Sequence, residues 1–140
     1  MNNEIIPLVR QIVKTAKLAE GRLDGALSEL NLTVTKLLTL RHLEQAAEPV
    51  SLGRIAQCMT FAKSNATQLI DHLEDAGLVR RVPSPDDRRC IQVELTDKGR
   101  RELESGSRAV RPLADKLESL YTRAERETFL EFLSRLSTAF

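Results

Sequence analysis

The chain has 140 residues, 41% hydrophobic, 29% charged and 4% aromatic, with a formal net charge of +1. That length suits one domain able to bury a core without disulfides or metal. So few aromatics argue against a β-sandwich and against a stacking platform for single-stranded nucleic acid.

Near-neutrality argues at first against a nucleic-acid partner, but position matters more than the sum. Residues 51–101 hold nine Lys/Arg against seven Asp/Glu, and Arg80–Arg89 alone holds four Arg and two Asp. The opening MNNEIIPLVRQ has no signal-peptide pattern, and no apolar run approaches the roughly 18 residues of a membrane span. A cytoplasmic protein with no membrane partner and reduced thiols at Cys58 and Cys90 is expected.

Long stretches without Gly or Pro predict a mostly helical chain. Apolar residues fall at Ile5, Val9, Ile12, Ala16, Ala19, Leu23, Ala26 and Leu30. Spacings of four and three make a coiled-coil seam, so the first helix is expected to pair with a second copy. Gly21 and Gly25 weaken it but allow close approach of a partner backbone. Thr33 is an N-cap for a second helix through about Leu43, with Val34, Leu37, Leu38 and Leu40 facing inward. After the break at Pro49, Ser51 caps a short helix to about Met59 that buries Leu52, Ile55, Ala56 and Met59. Cys58 reads as a small core residue there.

A turn at Thr60-Phe61 leads to a helix from about Ala62 to Ala76. Its core face is Ala66, Leu69, Ile70 and Leu73, and Gly77 ends it. The first half of the opposite side carries Lys63, Ser64, Asn65, Thr67 and Gln68, and acid appears only at Asp71 and Asp75. A helix entering a DNA groove by its N-terminal end needs this order, because acid near phosphates is repelled. Leu78–Val82 and Cys90–Leu95 read as two strands, with Ile91, Val93 and Leu95 on the inner face. The loop between them is stiffened by Pro83 and Pro85 and rich in donors, which makes it a wing. Thr96 caps a long helix to about Leu120, with a kink at Pro112 and a stripe of Leu103, Val110, Leu113, Leu117 and Leu120. Thr122 to Glu125 is a capping box for a last helix to about Thr138. Phe129, Leu130, Phe132, Leu133, Leu136 and Phe140 make that end apolar enough to suit either an internal core or a partner subunit.

The fold class is therefore mostly α with a small antiparallel β-hairpin wing. A winged helix-turn-helix (31–101) is flanked by dimerisation helices (1–30 and 102–140) within a single domain. The run Ser51-Leu52 to Ile55-Ala56, the segment LIDHLEDAGLVRR of Leu69–Arg81 and the signature DRRCIQVELTDKG of Asp87–Gly99 resemble the multiple-antibiotic-resistance regulator (MarR) family. The resemblance implies a homodimer joined through its first and last helices that binds a pseudo-palindromic site on double-stranded DNA. It further implies a repressor, released by a small-molecule effector. Carried onto this chain, it presents Lys63, Ser64, Asn65, Thr67 and Gln68 to the major groove, where Asn and Gln can bond adenine bidentately. It places Arg89 in the minor groove, where one Arg reads a narrow A·T-rich shape, with Asp87 holding its guanidinium by a forked pair. Arg88, Arg80, Arg81, Ser51 and Arg54 meet phosphates. An effector cleft would draw on Arg22, Leu38, Arg41, His42 and Arg108.

No Gly-rich phosphate loop, nucleophile elbow or carboxylate dyad supports an enzyme, and no cofactor is implied. His42 and His72 show no ligand spacing for zinc. Two alternatives remain. One is a dimeric interaction module whose winged helix no longer binds DNA, which an intact basic wing disfavours. The other is a thiol-based redox sensor using Cys90, which lies beside two arginines.

Overall fold

The computed structural model describes residues 5–59 and 62–138, so the turn expected at Thr60-Phe61 and the terminal Phe140 lie outside them. In chain order the elements are α1 (Ile5–Leu27), a 3-10 turn (Ser28–Leu30), α2 (Val34–Gln45), β1 (Val50–Ser51), α3 (Leu52–Cys58), α4 (Lys63–Asp75), β2 (Val79–Pro83), β3 (Ile91–Leu95), α5 (Asp97–Leu120) and α6 (Arg123–Ser137). Two compact units divide the chain, Met1–Ala109 and Val110–Phe140, the division falling inside α5.

The first unit holds the core. Leu27, Leu40, Ile55, Ile70, Leu73 and Val93 have no exposed surface, and Leu103 of α5 is buried among them. Each such side chain taken from water contributes about 1.5–3 kcal/mol. The three strands are antiparallel in the order β1-β3-β2, with Val50 and Arg81 on either side of Val93. β1 is a strand beyond the two expected, and its two residues are too few for alternation to reveal. Asn31, at φ 53, turns the chain out of the 3-10 turn. Thr33 then accepts Lys36 N at 3.3 Å, and Asp24 of α1 accepts Val34 N at 2.6 Å. The first turn of α2 is thus capped from two sides, which satisfies amides that have no partner within the helix.

Several expectations need correction. The regular helix stops at Leu27, which is fully buried although the seam omits it. Leu38 does not face inward and is 52% exposed. The buried positions of α2 are Leu37, Thr39, Leu40 and Leu43, and at 100° per residue position 38 lies outside their arc. Cys58 is exposed rather than core, one position off the face that Ile55 and Ala56 bury. Leu52, Met59 and Leu69 are half-buried, and Ile91 at the wing end of its strand is exposed. α5 runs through Pro112 to Leu120, the extent expected.

The second unit contains the end of α5 and α6. Thr122 Oγ1 accepts Glu125 N at 3.3 Å and Glu125 Oε2 accepts Thr122 N at 2.8 Å, the capping box expected from the sequence. Arg126 Nη1 donates to the carbonyls of Glu118 and Tyr121, closing the end of α5. The backbone hydrogen bond from Thr122, then that from its hydroxyl, holds the Glu125 carboxyl below the ordinary carboxylate range. A depressed folded value means this cap contributes above the unfolded value and is lost as pH falls through the folded one. Thr122→Ala should move the Glu125 midpoint back towards the ordinary range, read by carboxyl 13C NMR titration.

Candidate nucleic-acid interface

α4 lies on the module through Ala66, Ile70 and Leu73, all buried, at i, i+4 and i+7. Its other face therefore points outward, and Lys63, Ser64, Asn65, Thr67 and Gln68 are all exposed. Thr67 Oγ1 donates back to Lys63 O at 3.0 Å. Among the described residues no side chain caps the helix at Ala62. The exposed half is neutral or basic and can donate to phosphates or base edges. Ser51 Oγ is occupied as the cap of α3, accepting Arg54 N at 3.3 Å, and the Arg54 side chain is exposed beside it.

The wing loop is closed at its base by Ser84 N donating to Cys90 O at 2.8 Å. Asp87 Oδ1 accepts the backbone N–H of Arg89 at 2.9 Å. The expected forked pair with the Arg89 guanidinium is absent among the described residues. Asp87 shapes the loop tip instead, because a carboxylate two residues before an amide closes an Asx turn more readily than it reaches a long exposed side chain. Arg88 and Arg89 are exposed and form no ion pair with another described residue. The Cys90 thiol donates to Asp87 Oδ2 at 3.7 Å, so a thiolate there would face a carboxylate.

Arg80 and Arg81 both form ion pairs within the protein. Arg80 Nε meets Glu94 Oε1 at 2.6 Å, its cross-strand neighbour. Arg81 is half-buried and bonds two residues of α4, Asp71 Oδ1 at 2.6 Å and Glu74 Oε2. Glu74 Oε1 also accepts the Arg81 backbone N–H at 3.1 Å. Burial works against the charged guanidinium, but the hydrogen bonds and charges of Asp71 and Glu74 outweigh it and hold the guanidinium above its ordinary value.

Sequence reasoning also missed how α5 grips the end of α4. Thr96 Oγ1 donates to Gly77 O at 2.6 Å and accepts Gly99 N at 3.0 Å. Lys98 Nζ donates to Ala76 O at 2.8 Å. Gly99 meets the Leu78 carbonyl so closely that any Cβ would overlap its oxygen. The Leu-Thr-x-x-Gly spacing was visible as a motif, but the contact it serves lies about twenty residues upstream.

The five effector candidates lie on three helices, Arg22 on α1, Leu38, Arg41 and His42 on α2, and Arg108 on α5. Arg41 Nη1 pairs with Glu44 at 2.6 Å while its Nη2 donates to Ser107 Oγ at 2.7 Å, joining α2 to α5. His42 Nδ1 lies 3.3 Å from Cys58 Sγ, and His42 Nε2 is buried with no hydrogen-bond partner among the described residues. Arg108 pairs with Glu104 at 2.8 Å, and Arg22 and Leu38 are exposed. None of the five lines any of three surface concavities of about 260–390 Å3. No helix among the described residues is long and apolar enough to cross a membrane.

Comparison with known proteins places this geometry. Residues 30–89 match the model of the MarR family. The multiple antibiotic resistance protein MarR of Salmonella typhimurium is 32% identical over 99 residues, covering 69% of this chain and 67% of that protein. The HTH-type transcriptional regulator PecS of Dickeya dadantii is 29% identical over 94 residues, 66% of this chain, which spans 57% of PecS. A crystal structure of a mutant MarR from E. coli complexed with operator DNA superposes with a TM-score of 0.84 at 28% identity, over 96% of each chain. A helix seated on its apolar face beside a basic hairpin, and a match to MarR over two thirds of both chains, lead to one conclusion: this chain belongs to the MarR family of winged-helix transcriptional regulators.

Proposed function

We propose that the protein binds a pseudo-palindromic operator as a homodimer, acts as a repressor and is released by a small-molecule effector. The observation that carries this reading is the winged module itself. One compact unit presents an acid-free half-helix, Lys63 to Gln68, and a wing whose exposed Arg88 and Arg89 form no ion pair with another described residue. Asn65 and Gln68 supply adenine-reading amides to the major groove and Arg89 reaches the minor groove. Arg88 and Arg54 are set at phosphates, with Ser51 contributing as a cap of the helix that meets the backbone. The operator complex of the E. coli relative supports a DNA partner.

The homodimer is supported by what the single chain leaves uncovered. Among residues 110–138 none is buried, and Phe129 and Phe132 are 61% and 57% exposed. On α1, Ile6, Val9 and Leu18 are more than half exposed. Apolar surface on this scale is what a second copy covers. Two-fold pairing sets the recognition helices for half-sites about 34–36 Å apart, one DNA turn. An effector that changes that spacing costs affinity.

Arg89→Ala tests the wing. Operator affinity should fall by about 1–3 kcal/mol with the dimer mass unchanged. Unaltered affinity in a fluorescence-anisotropy titration would remove the wing from the mechanism.

A further inference from the structure

We infer that Arg81 is a positioning residue that fixes the wing to the recognition helix and neutralises its acidic half, rather than a ligand of the DNA backbone. This rests on α4 being the helix that reads DNA. The guanidinium leaves β2 and is forked between Asp71 and Glu74, one turn apart on α4. Glu74 is fixed a second time, through its other oxygen, by the Arg81 backbone N–H at 3.1 Å. The result is a three-point link between the strand that begins the wing and the second half of the recognition helix.

Two consequences follow from that geometry. First, α4 and the wing move as one body, so the amides of Asn65 and Gln68 and the tip at Arg89 hold one relative position. A duplex must meet both at once, and a small misplacement is paid in specific affinity. Second, Asp71 and Glu74 would otherwise lie uncompensated on a helix that approaches phosphates, and Asp75 adds a third acid in the same half. A planar fork suits this task because it meets two carboxylates with fixed donor directions, which a lysine ammonium does not. The guanidinium is half-buried, whereas Arg54, Arg88 and Arg89 are exposed.

The two roles are separable because a lost phosphate contact weakens binding to all sequences alike, whereas a misplaced recognition helix loses the operator first. The experiment titrates the wild type, Arg81→Met, Asp71→Asn/Glu74→Gln and the triple variant against two duplexes. One is the duplex selected by the wild-type protein from a random pool and the other is a scrambled duplex. Dimer mass and circular dichroism are recorded for each variant. Arg81→Met is expected to weaken the selected duplex at least tenfold and the scrambled one less than threefold. In the Asp71→Asn/Glu74→Gln background, adding Arg81→Met should change the selected-duplex affinity less than threefold. Equal losses on both duplexes, persisting in that background, would overturn the positioning role and return Arg81 to the phosphates. A wild-type protein that fails to distinguish the two duplexes would instead overturn the DNA-reading function itself.

Discussion

Gly99→Ala is expected to destabilise the protein by about 3 kcal/mol, although Gly→Ala within a helix ordinarily gains up to about 1 kcal/mol. The sign reverses because of what lies against the glycine. A Cβ at position 99 would overlap the backbone oxygen of Leu78 and sit 2.9 Å from its carbonyl carbon and 3.1 Å from Leu95 Cδ2. Backbone cannot turn aside as a side chain can, so either α5 or the Ala76–Leu78 turn must shift. That turn is held by Thr96 on Gly77 O and Lys98 on Ala76 O, and both bonds would be strained by the shift. Gly106→Ala makes the comparison. Its added Cβ meets the Leu37 Cδ1 methyl at 2.6 Å, the end of a side chain that can change rotamer, so its cost should be smaller. Urea unfolding at equal protomer concentration measures both, a precaution needed because dimerisation couples stability to concentration. A Gly99→Ala protein as stable as wild type would mean that this approach is looser than described.

The second large effect is expected at Ile70. It is fully buried on the face of α4 opposite the exposed polar residues. Ile70→Ala removes three carbons from a packed site and should cost about 2–5 kcal/mol, depending on how far the cavity collapses. None of Lys63, Ser64, Asn65, Thr67 or Gln68 is altered, yet the seat that aims them is loosened. Operator affinity should therefore fall together with stability, whereas Gln68→Ala should relax one base preference and leave the unfolding midpoint unchanged. An Ile70→Ala protein with wild-type midpoint would contradict the core assignment.

What the sequence revealed and what it hid follow one rule. Periodic features were legible: the α4 face of Ala66, Ile70 and Leu73, the alternation of Val93 and Leu95, and caps such as Thr33, Ser51 and Thr122, because each is a local pattern. Contacts between distant segments were not. Arg81 has the same composition signal as Arg88, and nothing in its own neighbourhood says that it turns towards Glu74 instead of solvent. Asp87 sits at the wing tip as its sequence position implies, but its partner is the Arg89 amide, since a short carboxylate satisfies a nearby amide before it reaches a flexible guanidinium. Leu38 failed for a different reason. Apolar character was read as inwardness, whereas α2 buries Thr39 at 0% exposure, its hydroxyl satisfied by Thr35 O at 2.9 Å. A hydroxyl that can bond its own helix can take a core position.

On the function proposed above, two copies of this chain read an inverted repeat through α4 and the wing. Selection of bound sequences from a pool of random duplexes at about 0.15 M salt tests it most directly, because non-specific attraction is screened there. Enrichment of an inverted repeat with half-site centres one helical turn apart, and with A·T pairs where Arg89 enters the minor groove, is the expected result. Retention of no sequence above background would contradict it.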